Sequence, residues 1–215
     1  MTQSTLPTFE LIYFPIHGRA EMLRLTFALG QAAFTDVPVT DWATLKPQMP
    51  LGQVPVLRET HGDKSCLIPQ SGAIIRHLGR VLNLYGQTEI EHTVTDYVLE
   101  SAMDWRAKFM PVAYARMFGT AQELVDKYWS EGLDQHLKVM EKLLANPSKS
   151  GPWFAGESPS IADVAVWDTM DSNLSKRADL LDRYPTLRAF YDRFAALPSV
   201  AAHLSSRRPS EHRQA

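Results

Sequence analysis

The chain has 215 residues, 45% of them hydrophobic and 21% charged, which is typical of a folded protein with one large domain or two small ones. Its formal net charge of −2 gives no basis for binding nucleic acid, and its single cysteine, Cys66, excludes a disulfide framework, a cysteine-rich zinc site and a Cys-x-x-Cys redox pair. No apolar run approaches the roughly 18 residues that span a bilayer, and residues 1–8 lack the pattern of a signal peptide, so we predict no membrane partner and a cytoplasmic location.

The N-terminal part of the chain alternates short apolar runs with helical patterns. Residues 9–13 predict a strand, which a turn at residues 15–18 follows. A helical pattern over residues 19–29 ends at Gly30, where a C-terminal cap belongs. A second short strand is predicted at about residues 34–39.

A hairpin and a helix complete this first part. Strands are predicted around residues 55–57 and 66–68, and the turn at residues 61–63 joins them. Ser71 is then expected to cap a helix that runs to Leu82. The order β-α-β, an irregular stretch and β-β-α predicts a small α/β domain with a mixed sheet.

The rest of the chain predicts helices only. We assign residues 1–85 to the α/β domain, residues 86–91 to a linker and residues 92–204 to an all-α domain. Residues 205–215 form a polar tail that includes three of the arginines.

Two patterns in the helical part predict local structure. Leu124, Leu137 and Leu144 mark one helix by their spacing. Ser160-Ile-Ala-Asp163 has the form of a capping box, with aspartate in place of the usual glutamate. The carboxylate of Asp163 can reach the Ser160 amide, which would start a helix at this point.

Several short motifs occur in a characteristic order along the chain. They are residues 11–21 (LIYFPIHGRAE), 52–55 (GQVP), 70–71 (QS), 75–80 (IRHLGR), 84–86 (LYG) and 160–163 (SIAD). Together they resemble the tyrosine-type cytosolic glutathione transferases, most closely the pi class and next the sigma class. The resemblance implies a thioredoxin-like α/β N-terminal domain, an all-α C-terminal domain, a homodimer, glutathione as co-substrate and no metal. It also implies that the protein attaches the sulfur of glutathione to hydrophobic electrophiles.

Tyr13 ends the first predicted strand and is, by this resemblance, the catalytic residue. A tyrosine hydroxyl has a reference pKa near 10 and stays protonated beside a thiol, whose pKa is about 8.5. It can therefore donate a hydrogen bond that favours the thiolate. Lowering the thiol pKa by about two units would make the nucleophilic thiolate the major form at neutral pH. By position alone, a core tyrosine at a strand end is the alternative.

Two charged candidates also have plain structural alternatives. Arg19, at the start of the first helix, would favour a nearby anion and is the second catalytic candidate, or it pairs with Glu21 or another acid. Asp104, by resemblance, reaches across the dimer to the γ-glutamyl amino group in the other subunit. Its alternative is a surface ion pair with Lys108, four residues later.

The remaining glutathione contacts come from the resemblance. The Val54–Pro55 bond, if cis as in the family, would turn the Val54 amide and carbonyl towards the cysteinyl residue of glutathione. Gln70 and Ser71 would hold the γ-glutamyl carboxylate, or Ser71 is only a helix cap. Trp42 and Lys46 would hold the glycyl carboxylate. The predicted glutathione-binding set is Trp42, Lys46, Gln53, Val54, Pro55, Gln70, Ser71 and Asp104.

The resemblance also implies a hydrophobic site for the electrophile. Phe14, Ile16 and Tyr114 would line it, between the two domains. Tyr114 would donate a hydrogen bond to an epoxide or enone oxygen as charge develops there.

Three positions concern the class within the family. Leu51 stands where pi-class enzymes carry an aromatic residue that inserts into the partner subunit. The dimer interface is therefore predicted to be less specific than in those enzymes. Met49 stands where many pi-class members have a reactive cysteine. Cys66 is predicted to be a buried small hydrophobe in a strand. These differences leave the class open between pi, sigma and a separate branch.

Other functions occur on related folds. A glutaredoxin- or peroxiredoxin-type enzyme needs a nucleophilic cysteine at the start of the first helix, and residues 15–18 contain none. An isomerase or a peroxidase that depends on glutathione would use the same thiolate. A noncatalytic binding protein would tend to lose the tyrosine or the glutathione contacts. We therefore predict a glutathione transferase, with these last three as alternatives.

Overall fold

The computed structural model describes residues 7–147 and 149–207. They form two compact units, and the chain passes from the first to the second between Asn83 and Leu84. The predicted linker, residues 86–91, overlaps the next helix, which begins at Glu89. Most of the predicted polar tail lies outside the described residues.

A mixed sheet of four strands forms the centre of the first unit, as the sequence predicts. The strands are β1 (Thr8–Tyr13), β2 (Thr35–Pro38), β3 (Val56–His61) and β4 (Lys64–Pro69). Their spatial order is β2-β1-β3-β4, with β1 parallel to β2 and the other two pairs antiparallel. Gly62 lies in the two-residue turn of the β3–β4 hairpin with a φ of 56°, a conformation that glycine adopts without strain.

Cys66 lies in β4, but the prediction that its side chain is buried is wrong. Its thiol is free and exposed, as are the side chains of Lys64 and Ser65 beside it. The reason is the position of β4 at the edge of the sheet, where a strand has a neighbour on one side only.

Three helices accompany the sheet. They are α1 (Glu21–Leu29), which a 3-10 turn at Gly18–Ala20 precedes, α2 (Trp42–Leu45), which a 3-10 turn at Lys46–Gln48 follows, and α3 (Ser71–Val81). Helix α1 packs against α3 and buries Leu23, Leu25 and Phe27 completely. Gly30 caps α1, as predicted. Ser71 is the first residue of α3 and not its cap, because Gln70 occupies the N-cap position.

The described part of the second unit is helical. Its helices are α4 (Glu89–Ala113), α5 (Ala115–Phe118), α6 (Gln122–Lys127), α7 (Leu133–Leu144), α8 (Ile161–Leu174), α9 (Pro185–Ala195) and α10 (Pro198–Ser206). Helix α4 starts with a capping box in which Thr88 and Glu91 bond each other's main-chain amides. Glu91, which the sequence places in the linker, therefore helps to begin the helix.

The helix predicted through Leu124, Leu137 and Leu144 is present as an unbroken helical segment over residues 122–144, with a π-helical turn inside it. This turn, Tyr128–Gly132, lies between α6 and α7. Leu137 and Leu144 are buried, whereas Leu124 on α6 is 58% exposed. A π turn has more residues per turn than an α-helix. Residues before and after it therefore no longer share one face at the usual helical spacing.

Helix α8 is the central helix of the second unit and is buried along most of its length. Its predicted capping box is confirmed: the Asp163 carboxylate accepts hydrogen bonds from the Ser160 amide at 2.8 Å and from the Ser160 hydroxyl at 2.9 Å. It also accepts one from the Phe154 amide at 3.0 Å, which ties the preceding loop to the helix. Helix α4 packs on α8, and Arg106 of α4 pairs with Asp168 of α8 at 2.6 Å.

Candidate active site

A cavity of about 380 Å³ opens in the first unit. Residues from the end of β1, the first turn before α1, α2, the loop before β3 and the start of α3 line it. They are Phe14, Arg19, Trp42, Gly52, Gln53, Val54, Pro55, Gln70 and Ser71. Apart from Lys46 and Asp104, the predicted glutathione contacts therefore lie around one cavity, together with Arg19.

Tyr13, the last residue of β1, is not itself one of the lining residues, but it precedes the lining residue Phe14 in the chain, and only 7% of its surface is exposed. Its hydroxyl oxygen accepts a hydrogen bond from the main-chain N–H of Arg19 at 3.0 Å. Among the residues that the structure describes, none accepts the proton of this hydroxyl. The Arg19 amide therefore occupies an acceptor position of the phenol oxygen, and the O–H group can still donate a hydrogen bond. The sequence did not predict this contact.

The side chain of Arg19 is exposed and lines the cavity. The alternative partner considered for it, Glu21, lies in α1 and pairs with Arg24 at 3.2 Å. Arg24 also makes two hydrogen bonds with Asp36 at the β2 edge, at 2.9 and 3.2 Å. No carboxylate in the described part of the chain pairs with Arg19, so its charge is available to an anion in the cavity.

The loop before β3 lines the cavity with residues 52–55. The Val54–Pro55 peptide bond is cis, as the family resemblance implies. Gly52 in the same loop has a φ of 57°. The alkyl chain of Lys46 lies next to Gly52: a Cβ atom placed on Gly52 would be 3.6 Å from Lys46 Cε. Lys46 is thus adjacent to the lining residue Gly52 although it does not line the cavity itself.

The first turn of α3 faces the same cavity. Gln70 holds the N-cap position with a φ of 71°, and its carbonyl accepts hydrogen bonds from the amides of Ala73 and Ile74. Ser71 follows it and is buried. A helix start of this kind offers main-chain N–H groups and a partial positive charge, both of which suit a carboxylate.

Aromatic side chains form one wall. The rings of Tyr13 and Phe14 lie 5.7 Å apart, and those of Phe14 and Trp42 lie 5.5 Å apart, both edge to face. Behind them is a buried apolar cluster that includes Ile12 and Met49. Met49 is buried in this cluster, so packing explains the residue at this position.

Besides Tyr13 and Lys46, three predicted residues do not line the cavity. Ile16 is half-buried in the turn after β1, and its carbonyl accepts a hydrogen bond from Arg24 at 3.0 Å. Asp104 is exposed on α4 of the second unit, and the alternative ion pair with Lys108 is not formed. Tyr114 ends α4, and its ring contacts that of Phe118 at 6.4 Å.

Two further observations concern the described residues only. No group of three or more histidine, cysteine, aspartate and glutamate side chains among them could hold a metal ion. None of their helices combines the length and the apolar character needed to cross a membrane.

A thioredoxin-like unit with a cis-proline loop opposite a strand-end tyrosine, followed by a helical unit, defines the glutathione transferase class of proteins. The family model described as "Glutathione S-transferase, C-terminal domain" matches residues 103–207. Over 93% of both chains, the sequence is 37% identical to glutathione S-transferase P of Caenorhabditis elegans. It is 35% identical to hematopoietic prostaglandin D synthase of Gallus gallus, with 94% of this chain and 98% of that one covered.

A solved structure shows the same fold and family. The pi-class glutathione S-transferase of Onchocerca volvulus aligns with a TM-score of 0.81 and 32% identity over 93% of both chains. The chain therefore belongs to the glutathione S-transferase family, and it is an enzyme of the glutathione transferase type. The predicted resemblance to this family and to its pi class is confirmed.

Proposed function

We propose that the chain binds glutathione in the cavity of its first unit and that the Tyr13 hydroxyl stabilises the thiolate for attack on hydrophobic electrophiles. One observation carries the proposal: the phenol oxygen is fixed by the Arg19 amide at 3.0 Å and its proton is left to donate. A donor of this kind favours a bound anion over the neutral thiol. The thiolate is the nucleophilic form of the sulfur.

The chemistry around the cavity matches the three parts of the tripeptide. The start of α3, at Gln70 and Ser71, suits the γ-glutamyl carboxylate because main-chain donors gather there. The Val54 main chain, beside the cis bond to Pro55, suits pairing with the cysteinyl residue. Trp42 and Lys46 suit the glycyl carboxylate through an indole N–H and an ammonium group.

Arg19 has a supporting role in the same proposal. Its exposed guanidinium, which pairs with no carboxylate among residues 7–147 and 149–207, adds positive charge at the cavity, which also favours an anion there. Gln53 completes the lining between Gly52 and Val54. Each of these assignments is a proposal for this chain; those of Arg19, Trp42, Gln53, Val54, Gln70 and Ser71 rest on their place in the cavity lining, and that of Lys46 rests on its position beside Gly52.

Purified protein is expected to conjugate glutathione to 1-chloro-2,4-dinitrobenzene, because the site offers both a binding cavity and a thiolate stabiliser. The measurement is the initial rate with glutathione present and absent. Retention on immobilised glutathione does not separate an enzyme from a noncatalytic binder, since both would be held. Binding of glutathione without any turnover would favour the binding protein and contradict the proposed transferase.

The electrophile site stays a proposal from the family resemblance, with Phe14, Ile16 and Tyr114 as its contacts. Tyr114→Phe is expected to slow turnover of an epoxide and an enone roughly 10-fold or more, since a hydrogen bond to the developing oxyanion is lost. Turnover of iodomethane, in which the developing charge lies on the leaving iodide and not on an oxygen, is the control and should change little. Unchanged rates with the epoxide and the enone would remove Tyr114 from this role.

A second function has one observation in its favour. The similarity to a hematopoietic prostaglandin D synthase, at 35% identity, supports isomerisation of a prostanoid by the same thiolate. A substrate panel with the purified protein, covering aryl halides, unsaturated ketones, prostanoids and peroxides, compares the transferase, isomerase and peroxidase reactions directly.

We also propose a homodimer and a cytoplasmic location. Asp104 is exposed and without an ion-pair partner in the described chain, as a residue that serves the other subunit would be. Leu51, which stands where pi-class enzymes carry the aromatic residue that inserts into the partner, is 53% exposed and so is available to a partner. The exposed thiol of Cys66 suits a reducing compartment.

A further inference from the structure

Gly18 lies directly beneath the phenol of Tyr13. Its φ is 43°, in the left-handed region that favours glycine. A Cβ atom at this position would come within 2.4 Å of the Tyr13 hydroxyl oxygen and 2.8 Å of Cε1. Both distances are shorter than van der Waals contact, so any other residue at position 18 would displace the phenol.

The Arg19 amide is held in place by the start of the helix that follows it. Ala20 and Glu21 donate their amides to the carbonyl of His17 at 3.1 and 3.0 Å, which closes the turn. The first amides of a helix have no acceptor within the helix. The Tyr13 oxygen supplies the acceptor for Arg19, so the phenol is fixed by a rigid main-chain donor and not by a mobile side chain.

We infer that Gly18 and the main-chain amide of Arg19 position the Tyr13 hydroxyl for the thiolate, separately from the Arg19 guanidinium. The inference rests on the proposed function. A phenol oxygen has one proton and accepts on its remaining lone pairs. When the amide occupies the acceptor side, the O–H proton points away from Arg19 and towards a ligand. Gly18 allows the ring to come close enough for this bond.

Gly18→Ala is the direct test, and Gly62→Ala is its matched control. Both glycines have positive φ, but a Cβ atom on Gly62 meets nothing within 4 Å. Gly18→Ala is expected to lower kcat/KM for 1-chloro-2,4-dinitrobenzene roughly 10- to 100-fold and to move its pH profile to higher pH, because a small misplacement of a catalytic group has effects of this size. Gly62→Ala is expected to retain the wild-type rate and profile.

A double variant separates positioning from general damage to the fold. In the Tyr13→Phe background there is no hydroxyl to position, so Gly18→Ala should cause little further loss. A further loss as large as in the wild type would mean a merely structural role and would overturn the inference. The inference would also be overturned if Gly18→Ala left the pH profile of conjugation the same as in the wild type. The proposed function would stand in that case, because the wild type would still form the thiolate. A wild type with no turnover at all would overturn both.

Amide hydrogen exchange gives a test that does not need Gly18→Ala to fold. The exchange rate of the Arg19 amide in Tyr13→Phe is compared with that in the wild type by NMR. Faster exchange in Tyr13→Phe is expected, since the amide loses its acceptor. Equal rates would show that the hydroxyl does not hold this amide and would overturn the inference.

Discussion

Tyr13→Phe is expected to lower kcat/KM for conjugation of 1-chloro-2,4-dinitrobenzene roughly 10- to 100-fold at neutral pH. The variant removes the only group in the proposal that donates a hydrogen bond to the thiolate, and each unit of thiol pKa corresponds to about 1.4 kcal/mol. The fold should persist, because one lost hydrogen bond to the Arg19 amide costs about 1 kcal/mol. Initial rates and a thermal unfolding curve measure the two effects.

A second tyrosine provides a matched control for this variant. Tyr191 on α9 donates its hydroxyl proton to Asp171 at 2.6 Å, so Tyr191→Phe also loses one hydrogen bond. It should leave the rate of conjugation near that of the wild type. Equal turnover by wild type and Tyr13→Phe would leave an enzyme but remove Tyr13 from its mechanism.

Asp163→Ala is expected to destabilise the folded state by about 3 kcal/mol or more. The carboxylate is fully buried, and its loss leaves the Phe154 and Ser160 amides without their acceptor. Buried donors that lose their partner carry the full desolvation penalty. Urea unfolding followed by circular dichroism measures the difference. Loss of this box would loosen both the start of α8 and the preceding loop.

An exposed N-cap aspartate is the control. Asp41 accepts a hydrogen bond from the Thr44 amide at 3.1 Å at the start of α2. Asp41→Ala should destabilise the folded state much less than Asp163→Ala, because water can replace the lost bond at an exposed cap. If Asp163→Ala cost no more than Asp41→Ala, the buried capping box would not be the anchor that the structure indicates.

The stabilisation from Asp163 should also depend on pH. Burial raises the pKa of Asp163 to about 6, above the 3.8 of an unfolded aspartate. The folded state therefore binds the proton more tightly, and the resulting contribution to stability is complete below pH 3.8 and is lost as pH rises through 6. The difference in unfolding free energy between wild type and Asp163→Ala should narrow over this range. A difference that widens would contradict the shift.

The architecture was largely predictable because its signals are local. Short apolar runs identify β1 and the hairpin, and the Ser160–Asp163 pattern identifies the start of α8. The same kind of capping box, formed by Thr88 and Glu91, begins α4. Both residues lie in the predicted linker, and this box was not predicted. The burial of Cys66 could not be predicted because a short apolar run does not show whether its strand is at the edge of the sheet.

The candidate site was predictable only in part, because its geometry depends on the fold. The gathering of Trp42, Gln53 and Gln70 around one cavity followed from resemblance, not from spacing. The contact between Tyr13 and the Arg19 amide joins residues six apart through a turn whose shape depends on Gly18. A glycine in the turn that precedes a helix is too common a pattern to predict such a contact.

The most direct measurement is a pH titration of the ultraviolet thiolate absorbance of glutathione bound to the wild type, compared with that bound to Tyr13→Phe. The account predicts that the wild type lowers the thiol pKa by about two units from the usual value near 8.5 and that Tyr13→Phe abolishes most of this shift, so that the thiol pKa returns towards 8.5. Identical titration curves for the two proteins would contradict the central role of the Tyr13 hydroxyl.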